Sequence, residues 1–151
     1  MTVTAPARPP VTTRRIGYLI AAAINTALMY AINVWPGWQT VPFLTDDTHR
    51  VLGLVTLSLA VSAIVNVTFL VADPPWVKAL GNLVTAGIGL AVLVRVLQVF
   101  PFDFTNSSFD WGLLLRIVLG VGIAGAALGV LVGIVSLVRR LPDGPAHTER
   151  G

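Results

Sequence analysis

From Trp111 to Val138 the chain reads WGLLLRIVLGVGIAGAALGVLVGIVSLV, an apolar stretch whose one charged side chain is Arg116. Such a run exceeds the roughly 20 apolar residues that cross a hydrocarbon layer of about 30 Å. Inside lipid the backbone must satisfy its own N–H and C=O groups, so a single run of this kind is restricted to an α-helix. Three similar runs precede it, at about 16–35, 51–72 and 77–100. The first ends at Trp35-Pro36-Gly37-Trp38, the second at Asp73-Pro74-Pro75 and the third at Phe100-Pro101. Proline lacks a backbone donor and disfavours helix at the residue before it, so each of these breaks ends a helix. The predicted fold is an all-α transmembrane four-helix bundle over 16–141, with the last helix at 111–138.

Composition agrees. Only 11% of the 151 residues are charged and 55% are hydrophobic, against about 25% charged in a soluble domain. Too little polar surface remains for a water-soluble monomer. The absence of cysteine excludes disulfides, thiol catalysis, iron–sulfur clusters and cysteine zinc sites. The net charge of +3 does not signal nucleic acid, because the basic residues flank helices and form no patch.

The segment 1–15 contains Pro6, Pro9 and Pro10 with Arg8, Arg14 and Arg15 and has no apolar period. It reads as a disordered tail, as does 142–151. A signal peptide would also place basic residues before an apolar run. The run at 16–35 is longer than a signal core, however, and it ends in Trp-Pro-Gly without a small-residue cleavage site. Arg8, Arg14, Arg15, Lys78, Arg139, Arg140 and Arg150 fall on one side of the four spans and only Arg50 on the other. The positive-inside rule then predicts a multi-pass protein of the cell membrane with both termini cytoplasmic. Trp35, Phe100 and Trp111 fit an outer aromatic belt, and Tyr18 and Trp76 an inner one.

At 100° per residue each helix carries a polar or small stripe. The first aligns Tyr18, Ala22, Asn25, Met29 and Asn33; the second Ser58, Ser62 and Asn66, with Asp73 below; the third Gly87, Ala91 and Arg95, with Gln98 a turn beyond. In lipid, helices associate through close packing and side-chain hydrogen bonds, so these stripes are expected to face inward. Lone serines bond their own backbone easily, whereas the amides of Asn25, Asn33 and Asn66 have more bonding sites to satisfy. The fourth helix has three faces. Gly122, Gly125, Gly129, Gly133 and Ser136 share an arc of roughly 80°. Ile117, Val121, Leu128, Leu131, Val132 and Val135 form a bulky face assigned to lipid, and Arg116, Gly120 and Ala127 lie nearly opposite the glycines. Small residues in two directions imply two protein neighbours, one of which can belong to another subunit.

Arg95 ends one span and Arg116 begins the next, so both belong to one leaflet. An arginine within a span is by default a functional candidate. Three readings stay open: ion pairs with Asp103 and Asp110 that clamp the loop onto the bundle, a shared site for an anion or lipid phosphate, and snorkelling to headgroups.

Asn33-Val34-Trp35-Pro36 and Gln98-Val99-Phe100-Pro101 match in register as amide, valine, aromatic, proline. The match suggests two parallel-related hairpins, although each residue type also commonly marks a membrane exit. The Trp-Pro-Gly-Trp exit, the Phe-Pro-Phe-Asp-Phe loop and the Arg-flanked, Ala/Val/Gly-rich helices resemble the small four-helix integral membrane proteins of actinobacteria with no assigned function. The resemblance covers about 16–141. It implies membrane residence and supplies no catalytic residue.

Catalysis lacks its parts. No Asp or Glu lies within the four spans, which removes carboxylate proton coupling, and His49 and His147 are too far apart in character to pair on a haem. Asp46, Asp47 and His49 have the chemistry of metal ligands but also that of a solvated capping turn. There is no phosphate-binding loop, no HExxH and no nucleophile–base set. Asn106-Ser107-Ser108 matches a glycosylation sequon. The chain is expected to be non-enzymatic and without cofactor. It would serve as a scaffold or accessory subunit that packs through glycine-rich helix faces against itself or another membrane protein. The alternative is a transporter or lipid- or anion-binding component that uses Arg95 and Arg116.

Overall fold

Pro10 opens the first helix. In the computed structural model, which describes residues 10–139 except Asp73, Asn106 and Ser107, α1 runs Val11–Asn33 with Pro10 at its N-cap. The expected tail therefore contributes a helical turn, since nothing after Pro10 breaks the helix and continuing it satisfies backbone groups of the following turn. The rest of that tail, and the tail expected at 142–151, lie outside the described residues. At its other end α1 stops two residues short of the expected boundary, because Pro36 disfavours helix at Trp35. Val34 N–H donates to the Tyr30 carbonyl at 2.8 Å and Gly37 N–H to the Ala31 carbonyl at 2.9 Å, closing the end. Gly37 has φ +85°, and a Cβ there would meet the Gln39 side-chain oxygen at 2.7 Å.

Short 3-10 turns at Trp38–Thr40 and Asp46–Thr48 lead into α2, His49–Val71. Ala72 leaves the helix in an extended conformation. α3, Pro75–Val99, starts with a proline in its first turn, where the missing N–H would have no intrahelical partner. It ends at Phe100, a non-glycine residue in the left-handed region with φ 44°. α4, Trp111–Val138, is capped by Asp110, whose carboxylate accepts from Leu113 N–H at 2.9 Å.

The result is an all-α four-helix bundle in which each helix is long and apolar enough to cross a membrane, so the chain is a multi-pass membrane protein. With 28 residues and a rise of about 1.5 Å each, α4 exceeds the ~30 Å apolar layer and has to tilt or protrude. Packing follows chain order: α1 on α2, α2 on α3, α3 on α4, with no comparable seam between α1 and α4 among the described residues. The bundle is therefore open along one side. Its buried apolar residues are few, chiefly Ala22, Val51, Phe69, Ala79 and Leu119, and most large aliphatic side chains face outward, as lipid-facing positions do.

The stripes fare differently from helix to helix. On α1, Ala22 is buried and Tyr18, Asn25 and Met29 are half-buried, whereas Asn33 at the end of that stripe is exposed, which corrects the inward expectation there; Ser58, Ser62 and Asn66 on α2 are half-buried. Gly87, Ala91, Arg95 and Gln98 of α3 are instead exposed, which corrects the expectation that this stripe faces inward. The reason lies in α4. Gly122 and Gly133 supply the hollows of that seam, so α3 presents bulky residues: Leu93 lies 3.5 Å from a Cβ built on Gly122, and Leu83 lies 3.2 Å from one on Gly133. The bulky face of α4, with Ile117, Val121, Leu128, Leu131, Val132 and Val135, is exposed as expected of a lipid face.

Candidate functional site

The loops at the end of the bundle that carries Pro36 and Pro101 are joined to each other. Leu44 and Phe102 form an antiparallel bridge. Thr45 N–H donates to the Pro101 carbonyl at 3.1 Å and Asp103 N–H to the Phe43 carbonyl at 2.9 Å. Alternate residues of an extended strand share a face, and the rings of Phe102 and Phe104 follow that rule, with the left-handed Phe100 turned against Phe102. Phe104 stacks on Phe43 at 5.7 Å and on Phe102 at 6.2 Å, and Phe100 meets Phe102 edge-on at 5.5 Å. Pro101 is fully buried beneath them. This clasp is what holds the second loop to the bundle. The ion-pair clamp expected of the arginines is not present among the described residues. The Asp103 carboxylate accepts from Thr105 N–H at 2.9 Å, and that of Asp110 caps α4. The bond from the Thr105 backbone, aided by its hydroxyl, holds the Asp103 carboxyl below its ordinary pKa.

The two arginines are also treated unlike each other. The Arg116 guanidinium carbon sits 4.4 Å from the centroid of the Phe100 ring, a cation–π contact between α4 and the end of α3. Arg95 is exposed on α3 and has no hydrogen bond or ion pair among the described residues. Among the described residues they share no partner, so the geometry does not join them as a pair.

Between Phe100 and Gly112 the second loop leaves an open cleft of about 500 Å³ lined by Phe102, Phe104, Phe109 and Trp111, with Asp103 and Asp110 at its edge. Both carboxylates already accept backbone bonds there. Nearby, His49 Nδ1 meets the Asp46 carbonyl, and Asp47 pairs with Arg50 at 3.2 Å, so these side chains are arranged as a capping turn. Among the described residues no set of three His, Asp or Glu side chains converges on a metal position.

The helix-packing candidates divide. Asn25 donates to the Ala21 carbonyl at 2.9 Å and Asn66 to the Ser62 carbonyl at 2.7 Å, each within its own helix. Asn33 does reach across: Thr56 of α2 donates its hydroxyl to the Asn33 side-chain oxygen at 3.0 Å. On α4, Gly122 and Gly133 pack on α3 and Ser136 is half-buried, whereas Gly125 and Gly129 are exposed with no atom within 4 Å of a built Cβ. The packing glycine not singled out from the sequence is Gly81. A Cβ there would lie 2.7 Å from the Phe69 ring and 2.9 Å from Val65. Phe69 also meets Tyr18 edge-on at 5.3 Å, and Lys78 lies 5.8 Å over the Tyr18 ring, so three helices converge at this end.

No family model matches this chain, and neither does any curated protein or solved structure.

Proposed function

We propose that this chain is a non-enzymatic accessory subunit or scaffold of the cell membrane, with both termini in the cytoplasm, and that it presents the open faces of α3 and α4 to another membrane helix. One observation carries the reading: Arg95 is exposed, and without a partner among the described residues, on the same α3 face as Gly87 and Ala91. A guanidinium within a span is unfavourable unless it pairs or snorkels. Small residues beside it let a second backbone approach closely. A partner helix with a carboxylate or other acceptor opposite Arg95 would satisfy both features. Gly125 and Gly129 offer the same closeness on α4. The partner is either a larger membrane protein or a second copy of this chain.

The alternative, an anion or lipid site shared by Arg95 and Arg116, has weaker support because Arg116 is engaged with Phe100. A mild-detergent pull-down with mass spectrometry of proteins and lipids separates the two. A stoichiometric protein partner, lost in Arg95→Gln and Gly87→Leu, supports the subunit reading. A lone chain with an enriched anionic lipid, lost in Arg95→Gln but kept in Gly87→Leu, replaces it with the lipid site.

A further inference from the structure

The α3 face with Gly87, Ala91 and Arg95 also restricts the kind of protein that can cover it, an inference that rests on the subunit reading above. Arg95 and Arg116 lie at one end of the bundle but at opposite ends of their own helices. Arg95 stands four residues before the end of α3 at Val99, and Arg116 five residues after the start of α4 at Trp111. In an α-helix every Cα–Cβ bond tilts toward the helix N-terminus. The Arg116 side chain therefore starts toward the loops, where it meets Phe100. The Arg95 side chain starts the other way, toward the middle of the span. Snorkelling to the nearer headgroups thus follows the backbone direction at Arg116 and runs against it at Arg95.

A helical side chain covers the turn N-terminal to its own Cα. For Arg95 that line holds Ala91 and then Gly87. Both are exposed, and nothing lies within 4 Å of a Cβ built on Gly87. A neighbouring helix can approach closely there. It would cover the guanidinium about 6 to 12 Å below the end of α3. Covered at that depth, the guanidinium needs an anion.

A second copy does not supply one. Copies in one membrane share an orientation, so a twofold contact through this face sets the two Arg95 side chains at one level. Other faces of a copy fare no better, because none of the spans Val11–Asn33, His49–Val71, Pro75–Val99 and Trp111–Val138 contains Asp or Glu. The carboxylates of Asp47, Asp103 and Asp110 are engaged within their own chain. They lie outside the spans, as Asp46 does, on the side from which Arg95 turns away. We infer that the occupant is a transmembrane helix of a different protein, with one Asp or Glu inside its span at the level between Ala91 and Arg95.

The chain has no native cysteine, so Thr12→Cys gives a single site for a donor dye. The labelled full chain is reconstituted in phosphatidylcholine vesicles with acceptor-labelled leucine–alanine helices that differ at one position, Glu or Gln. Energy transfer to the Glu helix should saturate at a density about tenfold lower than to the Gln helix, the effect of one charge-assisted hydrogen bond. The preference should disappear in Arg95→Gln and return in Arg95→Lys, and Gly87→Leu should weaken binding of the Glu helix. Donor- and acceptor-labelled copies of the chain should show no transfer beyond random mixing. A Glu helix that binds no better than the Gln helix overturns the inference, as does a preference that survives Arg95→Gln. Displacement of the Glu helix by phosphatidylglycerol also overturns it, by giving the face to lipid phosphate. The Glu–Gln comparison stands on unmodified Arg95 should that variant fail to fold. Transfer between copies that Gly87→Leu abolishes overturns the inference but keeps the subunit reading, with a second copy as the partner. No binding of any helix or copy, together with a pull-down that returns no stoichiometric protein, overturns both.

Discussion

Gly81 of α3 is placed where the ring of Phe69 from α2 leaves no room for a methyl group: a Cβ would sit 2.7 Å from the ring's far carbon. Phe69 is itself held edge-on by Tyr18 of α1, so the ring cannot simply swing away. Gly81→Ala is therefore expected to destabilise the bundle by about 1–3 kcal/mol, the range for forcing extra volume into a packed seam. Thermal unfolding in micelles measures it. Phe69→Leu combined with Gly81→Ala should recover part of the loss, and strict additivity of the two changes would show that they do not meet.

Gly129 of α4 behaves in the opposite way. Nothing lies within 4 Å of a Cβ built on it, and the same is true of Gly125. Gly129→Ala should leave the melting temperature of the isolated chain unchanged or slightly raised, because alanine favours helix by about 1 kcal/mol over glycine. Gly129→Leu should be equally silent in the isolated chain yet block capture of a partner helix. A clear loss of stability in the alanine variant would mean that α4 turns this face to its own bundle.

These two glycines show what the sequence can and cannot say. The α4 boundaries, Trp111 and Val138, were readable because length and hydropathy are local properties. The small residues were equally visible, but which of them has something opposite depends on side chains more than ten residues away: Phe69 for Gly81, Leu83 for Gly133, nothing for Gly125. The inward face of α1 followed from its period, whereas that of α3 did not, because its neighbour α4 supplied the hollows. The loop clasp had a local signal, the alternating rings of Phe100, Phe102 and Phe104, yet its other strand, Phe43 to Thr45, carries no pattern that names its partner. Asn25 and Asn66 turned back to their own helices, a choice an amide can make wherever a carbonyl four residues earlier is in reach.

The clasp can be trapped covalently. Leu44 and Phe102 are the bridge residues between the two bonds from Thr45 to Pro101 and from Asp103 to Phe43, which makes them a non-hydrogen-bonded pair. Such pairs have Cα atoms about 4.5 Å apart, at the short end of disulfide geometry. In a chain with no native cysteine, Leu44→Cys with Phe102→Cys should form a disulfide under mild oxidation, seen as a mobility shift on a non-reducing gel. Efficient crosslinking of Leu44→Cys with Asp103→Cys instead would place the register one residue away.

Acid should loosen the same loop. The bonds from Thr105 hold the Asp103 carboxyl below its ordinary value of 3.8. A lowered carboxyl contributes stability that is fully present above that ordinary value and is lost as pH falls through the lowered one. The Thr105 amide proton resonance should therefore titrate with a midpoint below 3.8, and Asp103→Asn should flatten it. A midpoint at or above 3.8 would show that the turn does not hold the charged form.

Arg95 and Arg116 offer the sharpest comparison, since the two have the same side chain, both are exposed, and they lie near the same end of the bundle. Arg116 lies 4.4 Å from the Phe100 ring centroid, and cation–π contacts at exposed sites contribute about 0.5–1 kcal/mol. Phe100 also holds a left-handed backbone at φ 44°, so its ring is an anchor for a strained exit. Arg116→Gln should lower the stability of the isolated chain by an amount that vanishes in a Phe100→Leu background, which a double-mutant cycle measures directly. Arg95→Gln should leave that stability unchanged, because the side chain has no partner among the described residues, and should act only on what binds from outside. If the Arg95 variant instead destabilises the isolated chain as much as the Arg116 variant, the guanidinium has a partner within the bundle. The open α3 face would then lose its claim as a docking surface.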